Sequence, residues 1–347
     1  MAIEDVLRDL FVIAAQDPCT PLRGIGIAAV TWCVNPSPGH VKLRMNASGR
    51  VELVTGANDN GSGPLATAIR QIVAEVLGIS VFSIDVPALD TAASGYDGGS
   101  QGSRTTQVTG EAARCAALEL RSQLARAVAS QLGASVEQLT FSENQIVNAE
   151  QPLKRVTIIE AARQARVCGA SLTAEATFAT PPVACTPVSA SGLLIPFFPT
   201  PTYHVHFGEV DVDPVTGNVY VRRYVVCQEV GRAINPREIY GQIQGAVAQG
   251  IGYALYESLR LREGHYVEQS LEAYRMPLAL DIPRVEVITL EHPAMDGPFG
   301  AKGVGEPPII PVPAVILNAI ADAVGESFER LPITPQDVLA ALYRRAP

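Results

Sequence analysis

The chain has 347 residues, a length that corresponds to about two domains or one large one. Hydrophobic residues make up 47% and charged residues 18%, which excludes intrinsic disorder, because disordered chains are poor in apolar residues and rich in charge. The formal net charge of −9, with three lysines and no basic run, argues against nucleic-acid binding. No apolar run approaches the roughly 20 residues that a membrane span needs.

The first residues and the cysteines bear on the cellular compartment. Glu4, Asp5 and Asp9 lie where a secretory signal peptide would carry positive charge, so we expect a cytoplasmic protein. The six cysteines are far apart and never spaced as CxxC. That spacing provides neither a zinc site nor an iron–sulfur cluster within this chain, and it is typical of reduced thiols.

Strands and helices alternate irregularly in the first half of the sequence. Apolar periodicity predicts an amphipathic N-terminal helix at residues 3–15, a strand at 24–33, a hairpin at 41–54, a helix at 65–77 and a long helix at 111–132. Thr109, just before the long helix, is predicted as its N-cap. The stretch 170–202 is rich in Pro, Thr, Ser and Ala, and it is predicted as irregular chain that crosses between two lobes.

The second half has the same mixed character. Residues 203–212 and 219–226 are predicted as two strands joined by a turn at 213–218. They are followed by a helix at about 241–259, a strand at 285–290, a helix at 313–324 and a closing helix capped by Thr334. The sequence contains no repeat with a period of 20–50 residues, and the interleaving of elements defines an α+β class.

Two short motifs have a structural interpretation that we favour over a functional one. Residues 24–29 match GxGxxA, but a dinucleotide site needs a strand before the first glycine and a helix after it, whereas here a strand pattern follows the glycines. His204 and His206 share one face of a predicted strand and could chelate a metal. The nearby carboxylates alternate to the opposite face, so a structural role is favoured.

Three polar, glycine-rich loops are the first indication of a binding site, at residues 58–63, 98–106 and 300–305. Such loops expose several backbone N–H groups that can form anion-binding nests. Two of them lead into a helix, whose N-terminus also favours anions. Together they predict a large, polar, phosphorylated ligand that is held mainly by neutral groups.

Glu306 stands out within the third loop. It lies between Gly305 and two prolines, beside Val304 and an Ile-Ile pair. Glycine lets a large ligand approach the backbone closely, and the prolines remove two donors that could stabilise the carboxylate. An apolar surround favours a carboxylate that takes up a proton during catalysis. These features predict Glu306 as a general base, with an ordinary surface carboxylate as the alternative.

The segment 241–252 has helical character but contains four glycines in twelve residues. Each glycine lowers helix stability by about 1 kcal/mol, so such a helix requires something that packs against it closely. Gln242, Gln244 and Gln249 offer amide groups that can match the edge of a heterocycle. A closely packed core helix with exposed glutamines is the alternative interpretation.

Several motifs occur together in the order that is typical of one family. They are GSRTT (102–106), VDVDPVTG (210–217), GRAINP (231–236), GQIQGAVAQGIG (241–252), YRMP (274–277) and GAKGVGEPP (300–308). With these motifs the sequence resembles the C-terminal half of the molybdenum-binding subunit of the xanthine dehydrogenase and aldehyde oxidase family, the molybdenum hydroxylases. The resemblance covers residues 22–325 and implies an elongated, two-lobed α+β module with the cofactor in a cleft between the lobes. It divides the chain into an N-terminal helix (1–20), a first lobe (21–170), a crossover (171–202) and a second lobe (203–347).

The resemblance also implies a cofactor and site residues. Glu306 takes the place of the family's catalytic base, and no residue binds molybdenum directly, because the metal is held through the dithiolene of molybdopterin. The cofactor is either plain molybdopterin or its cytosine dinucleotide form. Ser62 stands where the family usually has glutamine, and Glu229 replaces a usual Asp and is interpreted as structural. The positions that match cofactor contacts are Asn60, Gly61, Ser62, Gln101, Gly102, Ser103, Arg104, Thr105, Thr106, Gln242 and Gly305.

The activity implied by the resemblance is hydroxylation of an electron-poor carbon with oxygen from water. The substrate would be an N-heterocycle such as nicotinate or a purine, or an aldehyde. Family subunits are much longer than this chain, so it is similar to the split arrangement of nicotinate dehydrogenase. There a second molybdopterin-binding subunit supplies the N-terminal half, and 2Fe-2S and FAD are expected on further partner subunits. The alternatives are a non-catalytic subunit that holds the cofactor, and an activity like that of carbon monoxide dehydrogenase.

Overall fold

The computed structural model describes residues 22–180 and 200–345. They form strands β1 (Arg23–Cys33), β2 (Gly39–Met45), β3 (Val51–Thr55), β4 (Ile84–Asp85), β5 (Leu139–Ser142), β6 (Gln145–Asn148), β7 (Arg155–Thr157), β8 (Thr173–Phe178), β9 (Pro201–Val212), β10 (Val219–Glu229), β11 (Leu261–Arg262), β12 (His265–Tyr266) and β13 (Val285–Leu290). The helices are α1 (Ala68–Leu77), α2 (Gly110–Leu132), α3 (Ile158–Val167), α4 (Pro236–Leu255), α5 (Pro311–Val324) and α6 (Pro335–Arg345). The N-terminal helix predicted at 3–15 lies outside the described residues.

The first lobe is built on a four-stranded sheet with the order β4-β3-β2-β8, in which β2 and β3 form the predicted hairpin. Val41, Leu43 and Met45 of β2 are buried and alternate with more exposed residues, as expected of a strand with one face in a core. The long helix α2 packs against β2 and β8 and also contacts α1 and α3. The small sheet β5-β6-β7 shares the same hydrophobic core, so these elements fold around one core.

The second lobe contains the sheet β1-β9-β10-β13, with α4 and α5 in one hydrophobic core with its strands. β1 and β10 both run antiparallel to β9, and β13 runs parallel to β10. β1 pairs with β9 along its whole length, from Arg23 opposite Asp211 to Cys33 opposite Pro201. The region 21–170, predicted as the first lobe, therefore contributes one strand to the sheet of the second lobe.

Two glycines of β1 let α5 approach the sheet closely. A Cβ atom on Gly24 would lie 2.0 Å from the backbone oxygen of Ala319, and one on Gly26 would lie 1.9 Å from that of Val315. These distances are far below van der Waals contact, so no side chain fits at either position. The GxGxxA motif at 24–29 therefore serves helix–sheet packing. Our preference for a structural interpretation of this motif is confirmed, since a strand and not a helix follows the glycines.

Two predicted details are wrong. Thr173–Phe178, predicted as irregular chain within the crossover 171–202, forms β8 and pairs with β2 at the edge of the first sheet. Its Thr-Ala alternation offers few large apolar residues to reveal a strand. Thr109 is not an N-cap, because it has helical backbone angles and lies in a π-helical turn, Thr105–Thr109, that continues into α2. Residues 181–199 of the predicted crossover lie outside the described part of the chain.

One helical stretch in the described part of the chain, Pro307–Val324, has the length and hydropathy of a membrane span, with a mean hydropathy of 1.6 over 18 residues. Of this stretch, 56% is buried inside the protein, and its helix α5 packs against β1 and β9. This packing identifies the stretch as a core helix of the second lobe.

Candidate active site

A cavity of about 440 Å³ lies between the two lobes. Its walls come from the loop between β3 and α1, the loop before α2, the start of α4 and the loop before α5. The three glycine-rich loops predicted from the sequence therefore converge on one cavity. Ten of the twelve predicted site residues line it, namely Asn60, Gly61, Ser62, Gln101, Ser103, Thr105, Thr106, Gln242, Gly305 and Glu306.

Ser103 and Glu306 contact each other directly, and they come from different lobes. The Ser103 hydroxyl donates a hydrogen bond to Glu306 Oε2 (2.8 Å) and accepts one from the Glu306 backbone N–H (3.0 Å). Ser103 has a left-handed backbone with φ of 57°, which is uncommon for a residue other than glycine and tends to occur at functional sites. One hydroxyl group thus fixes both the backbone and the carboxylate of Glu306.

The residues around Glu306 determine how its loop packs. A Cβ atom on Gly303 would lie 2.4 Å from the backbone oxygen of Ser103, so only glycine lets the two loops pass so closely. Pro307 and Pro308 are buried and begin a short 3-10 turn that leads to α5. The Glu306 side chain is exposed on the cavity wall. The apolar surround expected for it is therefore not supplied by the described residues.

A buried ion pair anchors the same loop to the second sheet. Lys302 Nζ lies 2.8 Å from Glu229 Oε2 and donates to the backbone oxygen of Pro201 at 3.1 Å. Glu229 Oε1 accepts a hydrogen bond from the Gly231 N–H (2.7 Å), and Gly231 forms a β-bridge with Ala301. Removal of either charge would leave the other buried and uncompensated, which is strongly destabilising. Glu229 thus has the structural role that was predicted for it.

A second ion pair, fully buried, shapes the loop before α2. Arg104 Nη1 lies 2.7 Å from Asp97 Oδ1, and neither side chain is exposed. Arg104 also donates to the backbone oxygens of Ser37 and Gly99, and the Thr109 hydroxyl donates to Asp97 Oδ2. Arg104 does not line the cavity. The prediction that the Arg104 side chain binds the cofactor is therefore corrected, because this buried side chain stabilises the loop through its bonds to Asp97, Ser37 and Gly99.

Gly102 is the other predicted contact that does not line the cavity. It has a left-handed backbone with φ of 56°, and a Cβ atom there would lie 2.6 Å from the Cβ of Asn35. Its backbone oxygen accepts a hydrogen bond from the Asn35 N–H (3.3 Å). Gly102 is therefore required for the turn and its packing against Asn35, and its role as a cofactor contact stays a prediction.

The cavity also includes polar residues that the sequence analysis did not predict as contacts, namely Thr67, Ser100, Arg232, Asn235, Glu238 and Lys302. Arg232 and Asn235 belong to the GRAINP motif, so this motif carried a signal for them. Asn235 accepts a hydrogen bond from the Glu238 N–H (3.3 Å) and caps α4. Arg232 pairs with Glu291 at 3.1 Å and brings positive charge to the cavity wall.

Gln242 lies on the cavity wall in the first turns of α4. Two of the four glycines of this helix are closely packed. A Cβ atom on Gly250 would lie 2.3 Å from a valine of α5, and one on Gly252 would lie 2.0 Å from a carboxylate oxygen of the next segment. Gly241 and Gly245 have no further atom of the described residues within 4 Å of the Cβ position. The predicted close packing is thus present at the end of α4, whereas its beginning, beside Gln242, is open.

His204 and His206 are buried in β9. The His204 ring bonds the Thr202 hydroxyl (2.8 Å from Nε2), and the His206 ring bonds the Tyr224 hydroxyl (3.1 Å from Nδ1). Burial lowers the pKa of His204 to about 4 and the pKa of His206 to about 3, so both rings are neutral at pH 7. Within residues 22–180 and 200–345, no group of three or more His, Cys, Asp or Glu side chains is placed to hold a metal ion. The two histidines are thus buried neutral rings, each bonded to a hydroxyl group of the second sheet.

Comparison with known proteins provides independent information about this cleft. Residues 13–283 match the family model described as molybdopterin cofactor-binding domain. The gamma subunit of the 6-hydroxypseudooxynicotine dehydrogenase complex of Paenarthrobacter nicotinovorans is 34% identical over 304 residues, which cover 86% of this chain and 37% of that protein. The putative xanthine dehydrogenase molybdenum-binding subunit XdhA of Escherichia coli K12 is 31% identical over 322 residues, covering 90% and 41%. Quinoline 2-oxidoreductase of Pseudomonas putida 86 has a similar fold, with a TM-score of 0.86 and 24% identity, over 99% of this chain and 45% of that one.

The chain is a two-lobed α+β protein with a polar cavity where the lobes meet, and the matched family model makes it a cofactor-binding module. The chain belongs to the molybdopterin cofactor-binding domain family, and the predicted α+β fold of this family is confirmed. It spans about 40% of the length of the curated relatives that it matches (37% and 41%). The residues present fit a molybdopterin. Gly61 has a left-handed backbone with open space at its Cβ position, the loops offer neutral side-chain donors, and the exposed Arg232 guanidinium suits a phosphate group.

Proposed function

We propose that this chain is the molybdenum-cofactor-binding subunit of a cytoplasmic, multi-subunit molybdenum hydroxylase. The observation that carries the proposal is the Glu306 carboxylate, held by the Ser103 hydroxyl on the wall of the cofactor cavity. The substrate class is a small molecule with an electron-poor carbon, such as an N-heterocycle or an aldehyde. The chain has no basic surface run that would suit nucleic acid.

The proposed reaction adds oxygen from water to a C–H bond and releases two protons and two electrons. When bound, the molybdenum cofactor accepts the two electrons and activates the oxygen. Glu306 acts as the general base and takes up a proton at Oε1, while Oε2 keeps its hydrogen bond from Ser103. Because the Ser103 hydroxyl also accepts the Glu306 N–H, the carboxylate is oriented before substrate arrives.

The cofactor would be held mainly by neutral groups. Gln242 offers an amide donor and acceptor to the pterin edge, and Thr105 and Thr106 line the same cavity, with the Thr105 hydroxyl bonded to Ser100. The backbone N–H groups of Gly61 and Ser62 donate to the side chains of Asp59 and Asn60, so the donors offered to the cofactor are mainly side chains. The exposed Arg232 guanidinium would contribute positive charge to the phosphate, whereas Lys302 remains paired with Glu229. These assignments follow from the lining of one cavity and from the family to which the chain belongs.

Partner subunits complete the proposed enzyme. Relatives of this chain are named as the gamma subunit and the large subunit of multi-subunit enzymes. In the proposed enzyme, a second molybdopterin-binding subunit supplies the rest of the cofactor-binding unit. Electrons would leave through 2Fe-2S and FAD on further subunits. The cysteines of this chain are far apart in sequence and give no cluster-binding pattern.

The decisive variant is Glu306→Gln in the purified complex, with Glu329→Gln as matched control, since Glu329 is exposed and outside the cavity. The glutamine keeps the size of the side chain and an oxygen for Ser103, but it cannot take up the proton. Turnover should fall at least 10²–10⁴-fold with unchanged molybdenum and pterin content, the usual range for loss of a general base. Activity within tenfold of the wild type at full cofactor content would instead favour the non-catalytic cofactor-holding subunit.

A further inference from the structure

The Glu238 carboxylate is a charged group of the cavity that the proposed mechanism does not use. The charged residues on the cavity wall are Arg232, Glu238, Lys302 and Glu306. The two cations are paired with carboxylates outside the cavity, at 3.1 and 2.8 Å, and the Glu306 carboxylate accepts a hydrogen bond from the Ser103 hydroxyl. The Glu238 carboxylate is different, because it has no hydrogen-bond or ion-pair partner among residues 22–180 and 200–345.

The fold places this carboxylate between helix α4 and the loop at residues 58–63. Glu238 is the third residue of α4, and its backbone N–H donates to Oδ1 of the helix cap Asn235 (3.3 Å). A Cβ atom on Gly63 would lie 3.7 Å from Glu238 Oε2, so the carboxylate is next to the backbone of the loop. Gln242 follows four residues later on the same side of the helix and also lines the cavity. The carboxylate and this amide therefore border the same part of the cavity.

This part of the cavity offers acceptors, whereas its donors are used within the chain. The Gly61 N–H donates to an aspartate side chain at 2.8 Å, the Ser62 hydroxyl to an asparagine side chain at 2.6 Å and the Thr67 hydroxyl to a backbone oxygen at 2.9 Å. A ligand that fills the cavity displaces water from Glu238, and burial of a carboxylate is costly unless it is hydrogen-bonded. The ligand must therefore bring donors to Glu238. A phosphate group has the same sign of charge and is excluded as this part of the ligand.

We propose that Glu238 binds an amidine-type edge of the ligand, in which two parallel N–H groups are attached through one carbon atom. Such an edge matches the two oxygens of a carboxylate, as the arginine fork does in bidentate ion pairs. Two sources have this chemistry, the aminopyrimidine ring of a pterin and a substrate with an amidine or protonated 2-amino heterocycle. Glu238 orients this edge and exchanges no proton with it. The inference rests on the proposed function for the presence of either ligand.

Pterin and lumazine test the first source. Pterin has a 2-amino group, and lumazine has an oxygen in its place, so lumazine lacks one of the two parallel donors. Binding of each is measured by calorimetry on the complex purified from cells that do not make molybdopterin. The wild-type complex should bind pterin at least about tenfold more tightly than lumazine, because the carboxylate makes a charge-assisted hydrogen bond to the amino group. Glu238→Gln should reduce this preference below about threefold, since a neutral amide offers one acceptor oxygen.

Glu160→Gln is the matched control for the position of Glu238 in its helix. Glu160 is the third residue of α3, and it is exposed and outside the cavity. A carboxylate in the first turn stabilises a helix without any ligand. If that were the whole role of Glu238, then Glu238→Gln should act as Glu160→Gln does, with a lower melting temperature and an unchanged preference for pterin.

Benzamidine and benzamide test the second source. Benzamidine has the two parallel N–H groups and a positive charge, and benzamide is its neutral analogue. Both are titrated into the complex that contains its cofactor. If the pterin already occupies Glu238, Glu238→Gln should leave the ratio of the two affinities unchanged. If a substrate binds there, the wild-type complex should prefer benzamidine at least about tenfold, and Glu238→Gln should abolish the preference.

A preference in either pair of ligands that Glu238→Gln abolishes and Glu160→Gln retains supports the proposal and identifies the source. The proposal is overturned if the wild type shows neither preference, or if Glu238→Gln retains both. The proposed function fails separately, through a wild-type complex that contains no molybdenum and hydroxylates no substrate. The comparison of pterin with lumazine still tests Glu238 in that case, because it uses the complex without its cofactor.

Discussion

Removal of the Ser103 hydroxyl tests whether it positions Glu306. The structure gives this hydroxyl two hydrogen bonds, one to the carboxylate and one from the backbone N–H of Glu306. A hydrogen bond to a charged group contributes about 1.5–3 kcal/mol, and the exposure of Glu306 favours the lower end of that range. Since about 1.4 kcal/mol is tenfold in rate, Ser103→Ala should lower kcat at least about tenfold.

A second substitution separates the effect of losing the hydroxyl group from the effect of backbone strain at residue 103. Ser103 has φ of 57°, a conformation that costs an ordinary residue roughly 1–2 kcal/mol and glycine nothing. Ser103→Gly therefore relieves the backbone strain at this position, and like Ser103→Ala it lacks the hydroxyl group. If the hydroxyl positions the carboxylate, the alanine and glycine variants should lose the same factor in kcat, while glycine gives the higher melting temperature.

The assay is steady-state turnover of the purified complex with kcat and KM determined separately, together with molybdenum content. If Ser103 acts through Glu306, then adding Ser103→Ala to Glu306→Gln should cause no further loss, because the two residues form one interacting pair. Wild-type kcat for Ser103→Gly would refute the reasoning. A double variant that is slower by the full product of both single effects would refute it as well.

Two further predictions concern stability. Gly26→Ala should abolish folding of the second lobe or lower the free energy of unfolding by roughly 3 kcal/mol, because its Cβ would lie 1.9 Å from a backbone oxygen of α5. The measurement is the soluble yield of this variant compared with that of Ala28→Gly. Burial lowers the pKa values of His204 and His206 to about 4 and about 3, so the unfolded chain binds more protons than the folded one below pH 6.5. The contribution of the two neutral histidines to stability should be complete above pH 6.5 and should fall as the pH drops toward 4. The free energy of unfolding in urea should therefore be lower at pH 5 than at pH 7, and this difference should be smaller for His206→Gln than for the wild type.

Local patterns in the sequence were sufficient for most of the fold. The strand at 24–33, the hairpin at 41–54 and the long helix before residue 132 follow from apolar periodicity, which reflects one buried face per element. The place of β1 in the second sheet could not be predicted in this way, because its partner lies far along the chain. Thr109 looked like a cap because its distant partner Asp97 and the π-helical turn are invisible to a local pattern.

The candidate site shows the same division. The polar glycine loops could be recognised because exposed backbone and neutral donors leave a compositional signal, and ten of the twelve named residues line one cavity. Arg104 carries the same signal, but its side chain is buried against Asp97. Gly102 is required by a turn that packs on Asn35, a contact with a distant part of the chain that a local pattern does not reveal. The Ser103–Glu306 contact joins two lobes, so spacing in the sequence could not reveal it.

The pairing of β1 with β9 has a consequence for synthesis of the chain. Arg23 and Asp211 bond to each other across 188 positions, so the first lobe is an insertion between two neighbouring strands. At a synthesis rate of 5–20 residues per second, β1 is complete roughly 10–40 s before its partner strand β9 is synthesised. The core of the first lobe is complete in sequence well before that. We therefore expect the first lobe to fold on the ribosome before the sheet that contains β1, and during that interval β1 should present an unpaired edge open to wrong pairing.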